Sequence, residues 1–235
     1  MYWIKTPNIT AVHGFSTRHG GVSPHPFMSL NLGGTDDLPE NIEENRKRAL
    51  NDLSIHFDQV SYLNQIHSNI VCGASHGKQT GDALVTNQKN IAIAVGAADC
   101  YPILFHDDIN HVIGAAHCGW RGTVAKIVEK TIQNMLDLGA NRQLIKVAIG
   151  QGISKANYEV SQDVIEQFQI AGFPNYCWDG RYLDLLEANR FVALECGILK
   201  EHIWSMNRCT TEQDFFSYRR DNGETGRMWG IIMLK

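Results

Sequence analysis

The stretch Ala115-Ala116-His117-Cys118-Gly119-Trp120-Arg121-Gly122 follows the apolar run His111-Val112-Ile113-Gly114 and opens a periodic helical segment. It reads as a strand-to-helix turn, with two glycines for a tight backbone and a His and a Cys delivered at the strand end. Two more strand ends carry residues of the same kind. Leu63-Asn64-Gln65-Ile66-His67 ends one, and Ala97-Ala98-Asp99-Cys100-Tyr101-Pro102 interrupts the apolar pair 91–95 and 103–105. His67, Cys100 and His117 offer two imidazoles and a thiolate, a donor set that suits zinc. The spacing is too long for a zinc finger, whose ligands come in close pairs. Three donors from three strand ends leave a fourth position open, which is the catalytic rather than the structural arrangement. Two other uses of the same residues stand beside it. Cys100 could act without metal as a nucleophile, with His117 or His67 as its base. Copper also accepts imidazole and thiolate, although none of the ten histidines forms a His-x-His pair, so a multi-copper cluster is not expected.

Cys118 is the test of the zinc reading. If residues 111–118 are extended, neighbouring side chains point to opposite faces, so His117 and Cys118 cannot both meet one ion. Cys118 is expected to pack as a small hydrophobe near Trp120.

The elements that must hold these residues alternate between strands and helices, which predicts an α/β (α+β) domain with layered sheets and outer helices. Residues 1–12 read as a strand, continued by 13–17 toward a glycine-rich loop over 18–39. A helix is expected over 40–53, with Ile42, Ala49, Leu50 and Leu53 on its apolar side. Residues 60–72 are strand-like with His67 inside, 82–86 a short extended piece, and 111–116 the strand before the turn. Val124, Ile127, Val128, Ile132, Met135 and Leu136 predict one helix over 123–138, with Gly139 as its cap. A buried strand over 145–149, a helix from Ser161 to Ala171, a helix over 183–196 and strands over 202–206 and 228–234 complete the chain. The basic and aromatic cluster over 215–227 is read mainly as salt bridges that stitch the C-terminus down.

At 235 residues the chain can bury one sizeable core, so a single domain, 1–235, is expected. A net charge of −4 gives no support to a nucleic-acid or anionic-membrane surface. No apolar run approaches the roughly 18 residues a bilayer span needs. The first residues lack a basic then apolar leader, so a cytoplasmic protein is expected, and its six scattered cysteines then read as free thiols.

The segments His13-Gly14-Phe15-Ser16-Thr17-Arg18, Gly20-Gly21-Val22-Ser23, Asn64-Gln65-Ile66-His67, Asp82-Ala83-Leu84-Val85-Thr86, Ala98-Asp99-Cys100-Tyr101-Pro102, His117-Cys118-Gly119-Trp120-Arg121-Gly122 and Phe215-Phe216-Ser217-Tyr218-Arg219-Arg220-Asp221 occur in order. Together they resemble the signature of the YfiH/YlmD family, over nearly the whole chain. That family has been called laccase-domain or polyphenol oxidase and is now read as purine nucleoside phosphorylase and adenosine deaminase. The resemblance implies a YfiH-like fold, zinc (or copper) on His67, Cys100 and His117, and Arg46 in the site beside the metal, holding phosphate or stabilising negative charge. It also implies Arg18 pointing into the site from its loop. The implied partners are a purine nucleoside and phosphate for a monomer or homodimer, with copper-dependent phenol oxidation and cell-wall precursor editing as alternatives. The chain departs from the family's pattern at Gln151, where Pro is common, and at Cys118, where a small residue such as Ala is usual.

Overall fold

The computed structural model describes residues 2–235. Two six-stranded mixed sheets lie face to face, with strands numbered along the chain. The first runs in the order Trp3–Ile4 (β1), Val12–Ser16 (β2), Met228–Met233 (β14), Ala92–Ala97 (β7), Val60–Asn64 (β3), Gly77–Thr80 (β5). The second runs Ile203–Ser205 (β13), Lys146–Ile149 (β10), Tyr101–Asp107 (β8), Val112–Cys118 (β9), Ala83–Thr86 (β6), Val71–Gly73 (β4). A small hairpin pairs Trp178–Asp179 (β11) with Tyr182–Leu183 (β12). Helix Pro39–Asn51 (α1) covers the outer face of the first sheet, and Trp120–Val124 (α2), Ile127–Asp137 (α3), Gln162–Ile170 (α4) and Leu185–Glu195 (α5) cover that of the second. Among the described residues no helix is long and apolar enough to cross a membrane.

The two-residue period of a strand explains why both faces of each sheet are apolar. Along β7, Ile93 and Val95 enter the seam between the sheets, while Ala92 and Ala94 face outward. Along β9, Ile113 and Ala115 enter the seam, while Val112, Ala116 and Cys118 face the helices. A strand buried on both sides reads as a continuous apolar run, which is how 91–95 and 112–116 look in the sequence.

Several expected elements are corrected. The strand over 1–12 shrinks to β1 and the start of β2, Met1 lying outside the described residues. Pro7 cannot donate to a ladder, and Asn8 instead turns the chain, its amide donating to the carbonyls of Val147 (2.9 Å) and His202 (3.0 Å). The strand over 60–72 divides into β3 and β4, because residues 65–70 leave the ladder to form the loop that carries His67. The helix over 123–138 divides into α2 and α3 at Lys126, which is left-handed (φ 59°). The carbonyl of Ala125 at that break accepts from Asn69 Nδ2 at 2.7 Å, which ties it to the His67 loop. Ser161 stands at the N-cap of α4 without a side-chain capping bond.

The long loop over 18–38 is ordered. Leu30 and Leu32 are fully buried under α1, and Asp37 accepts from Ser23 Oγ (2.5 Å) and Asn31 Nδ2 (2.9 Å). Asn45 of α1 reaches across it, donating to Ser23 Oγ (2.8 Å) and the Asn31 carbonyl (3.0 Å) and accepting from Val22 N (2.8 Å). Asn45 thus fixes the loop, and its neighbour Arg46 turns the other way.

Candidate metal centre and active site

The three proposed ligands come from three chain segments at one end of the sandwich. His117 is the penultimate residue of β9, Cys100 sits where the chain crosses from β7 in one sheet to β8 in the other, and His67 follows β3. Their donor atoms all lie within 4.8 Å of one another, and the two imidazoles meet edge to face with centroids 5.0 Å apart. Among the described residues no fourth His, Cys, Asp or Glu joins the cluster. Cys118 is fully buried on the helix face of β9, away from His117.

Asp82 organises this cluster. The His117 Nδ1–H donates to its Oδ1 at 2.9 Å, leaving Nε2 for a metal. The same carboxylate accepts from the amides of His67 (3.1 Å), Ile66 (3.3 Å) and Ser68 (2.6 Å) and from Ser68 Oγ (2.7 Å). One fully buried carboxylate therefore aims one imidazole and pins the loop bearing the other, which holds His67 left-handed (φ 57°). Burial would raise the Asp82 carboxyl, but the bonds from His117 and Ser68 hold it down at about 2. Burial would likewise raise the Cys100 thiol, yet the facing imidazoles of His117 and His67 bring it to about 6. Burial would lower His117, and Cys100 with Asp82 overcomes it, to about 9. Without a metal the extra proton sits on His117 Nε2 and the Cys100 sulfur is a thiolate; a metal would take the place of that proton, so that the neutral imidazole and the thiolate both ligate. Donor types, convergence and the Asp82 support all fit one zinc ion.

Close approach explains Gly119: a Cβ there would meet Cys100 Sγ at 2.9 Å and His67 Cδ2 at 3.3 Å. Asp99, left-handed at φ 80°, swings Cys100 inward, and its carboxylate accepts from Thr210 Oγ1 (2.6 Å), Ser217 Oγ (2.8 Å) and the Arg219 amide (2.6 Å). The residue before one ligand is therefore the anchor of the C-terminal tail. Gln65, beside the other loop, locks β3 to β7 by donating to the Gly96 carbonyl (2.8 Å) and accepting from its amide (2.6 Å).

The ligands lie in a cavity of about 700 Å³, a size that suits a small-molecule substrate. Its walls carry the aromatic side chains of Tyr62, Trp120, Tyr158, Tyr218 and Trp229 and five cations, Arg46, Lys78, Arg121, Arg219 and Arg227. The sole acid of the lining, Asp99, is occupied with the tail. Arg46 enters from α1 between the rings of Phe57, Tyr62 and Trp229, each about 5 Å from its guanidinium carbon, with Nε donating to the Leu32 carbonyl (2.8 Å).

The placement of Arg18 corrects one expectation. Its guanidinium donates to the Met28 carbonyl (2.8 and 2.6 Å) and lies over the Phe216 ring, outside the cavity lining, because the loop folds back on itself there. The tail is corrected too. Arg220 does stitch, pairing with Asp221 (2.7 Å) and donating to the carbonyls of Thr211, Glu212 and Phe215. Tyr218, Arg219 and Arg227 instead face the cavity. The role of Asp82 left no local signal in the sequence, since its partners lie about 15 and 35 positions away.

Residues 12–235 match the family described as multi-copper polyphenol oxidoreductase laccase. A purine nucleoside phosphorylase of Deinococcus radiodurans is 44% identical over 98% of this chain and 92% of its own length. The purine nucleoside phosphorylase YlmD of Bacillus subtilis is 32% identical over 99% of this chain and 92% of its own. The crystal structure of YlmD from Geobacillus stearothermophilus superposes with a TM-score of 0.95 at 31% identity, covering 100% of this chain and 97% of that one. The two facing sheets with helices outside are thus the YfiH-like fold, and the chain belongs to the laccase-domain family of YfiH and YlmD.

Proposed function

We propose that this chain is a zinc-dependent enzyme of purine nucleosides, cleaving adenosine, inosine, guanosine or methylthioadenosine with phosphate and deaminating adenosine to inosine. The observation that carries the reading is a His-Cys-His cluster in a cavity walled by aromatic rings and cations. Rings stack on a purine; cations without carboxylate partners suit an oxyanion. The names of the relatives support the same substrates.

His67, Cys100 and His117 would hold the zinc, which when bound would supply Lewis acidity and an activated water for attack at C6 of adenine, the C6–N6 bond breaking to release ammonia. The chain's own residues do the rest. Asp82 fixes the His117 tautomer, so the Nε2 lone pair faces the site. Arg46 holds the phosphate, whose oxygen bonds to C1′ of the sugar as the C1′–N9 bond breaks. The bonding pair leaves with the purine, which takes up a proton. We place the enzyme in the cytoplasm, as one domain over 1–235 and as a monomer or homodimer, without a nucleic-acid or membrane partner; the net charge of −4 supports the last point.

The test incubates purified protein with adenosine, with and without phosphate, and identifies the products by mass. Free adenine with ribose 1-phosphate, only when phosphate is present, is expected, together with phosphate-independent inosine. Neither product from zinc-loaded protein would refute the reading. A metal-free Cys-His hydrolase is the second reading, favoured by a Cys100 thiol that lies between two imidazoles. Full activity after zinc removal would select it. For the oxidase, the described residues offer one metal's worth of donors, so weak, copper-dependent phenol oxidation is expected.

A further inference from the structure

Arg46 and Arg227 are the two half-buried cations of the cavity wall, and they meet at one turn. The Arg46 Nε donates to the Leu32 carbonyl at 2.8 Å, while the Leu32 amide donates to the Arg227 carbonyl at 3.0 Å. The next residues, Gly33 and Gly34, are both left-handed (φ 126° and 74°) and line the cavity between the two arginines. A Cβ on Gly33 would collide with Arg46 Nη2, and one on Gly34 would meet Arg227 Cγ at 3.7 Å. Asn31 holds the assembly in register, its Oδ1 accepting from the amides of Gly33 (3.2 Å) and Arg227 (2.9 Å).

Neither arginine has a carboxylate partner among the described residues. Arg227 Nη1 donates only to the carbonyls of Thr225 (2.8 Å) and Gly226 (3.0 Å), and its guanidinium lies 5.9 Å from the Tyr218 ring. The Gly34 amide likewise donates to nothing among the described residues. Burying two guanidinium groups without an acid is costly unless an anion completes the site. A single phosphate would accept from both forks and from a free amide. Arg227 is also held near the Cys100 thiol and the Asp99 carboxylate, so this turn adjoins the ligand cluster. The other cavity cations differ: Lys78, Arg121 and Arg219 are exposed at the rim, and Arg219 is tied to the carbonyls of Asn157 and Glu159.

We propose that Arg227 and Arg46, closing on the turn at Gly33 and Gly34, form a two-arginine clamp for the attacking inorganic phosphate. The proposal deepens the phosphorolysis reading and rests on it. Arg227, which the sequence marked only as part of a tail read as salt bridges, then contributes as much to phosphate binding as Arg46.

The test compares wild type with Arg227→Gln and Arg227→Lys, all zinc-loaded and checked for native circular dichroism. In Arg227→Gln the KM for phosphate should rise about tenfold or more, as expected for losing a charge-assisted pair. The KM for adenosine should change less than about threefold, since uniform disruption would move both. Arg227→Lys should fall between, because it keeps the charge and loses the fork. An unchanged phosphate KM, or equal rises in both constants, overturns the clamp. Thermal melts with inorganic phosphate read the clamp without turnover. Phosphate should stabilise wild type and not Arg227→Gln, and no stabilisation of wild type also overturns it. Phosphate stabilisation of a wild type that performs no phosphorolysis would uphold the clamp and refute the function.

Discussion

His117 and His106 lie on the same two paired strands and are both at least 96% buried, yet their environments are opposite. In the β8–β9 register His117 faces Pro102 at one end and His106 faces Ile113 near the other. His117 has the Asp82 carboxylate on Nδ1 and the Cys100 thiol beside it, and it is pushed up to about 9. His106 has no hydrogen-bond partner on Nδ1, and burial pushes it down to about 4 despite Asp107 and Asp108 nearby. Lys146, opposite it in β10 and paired with Asp108 at 3.1 Å, and His13 both disfavour its charge. The strands fix where a histidine sits. What decides its proton is which acid another segment brings to that end.

The largest test of the contrast is at the ligand end. Cys100→Ala should lose the bound zinc, read by elemental analysis, and lower nucleoside turnover by about a thousandfold or more, the scale of removing a principal catalytic group. Equal zinc in variant and wild type would sink the ligand assignment.

At the far end, His106→Leu tests the burial of a neutral imidazole. The unfolded chain takes up a proton near its ordinary value of 6.5, whereas folded His106 resists until about 4. Stability should therefore fall as pH drops from about 6.5 toward 4 and level off below. At about 1.4 kcal/mol per unit, His106→Leu should gain up to about 3 kcal/mol on wild type between neutral pH and pH 4. Denaturant melts at several pH values measure this. Parallel curves for the two proteins would remove His106 as the source.

Asp82→Asn keeps the shape and removes the charge that His117 leans on. Zinc affinity, measured by competition with a chelating dye, should fall about 10- to 100-fold, as outer-shell partners of metal ligands typically require. Unchanged affinity would make Asp82 a loop anchor only.

Cys118→Ala should do least. It keeps its zinc and most of its activity and costs about 1 kcal/mol for a small loss of packing in the helix-side core. Lost zinc would mean that the cluster takes four protein ligands, and the open-site reading would fall.

The ligand end was legible where chemistry is local. Cys100 and His117 stand out because each lies where an apolar run stops, which follows from residue types alone; His67 was legible as a donor, but its place in a loop rather than inside a strand over 60–72 was not. The opposed placement of His117 and Cys118 follows from the two-residue period of any strand. Helix α3 was legible through its apolar spacing, but its division from α2 at Lys126 was not, since the break is fixed by a bond from Asn69. Arg18 was expected in the site from the family resemblance, whereas the fold turns it back onto the Met28 carbonyl of its own loop.

By itself the sequence determined the alternation of apolar strands and helices, the donor types at three strand ends, and the lack of a His-x-His pair. These follow from side-chain chemistry and backbone period, which are properties of neighbours. The tertiary structure alone decided that Asp82 meets His117, that Asp99 draws the C-terminal tail to the cavity, and that Arg46 and Arg227 close on one turn. Those contacts join residues 14 to 196 positions apart, such as Arg46 with Leu32, Asp82 with His117, Asp99 with Arg219 and Asn31 with Arg227. A carboxylate or guanidinium carries no mark of its distant partner; sheet register and chain crossings bring the two together.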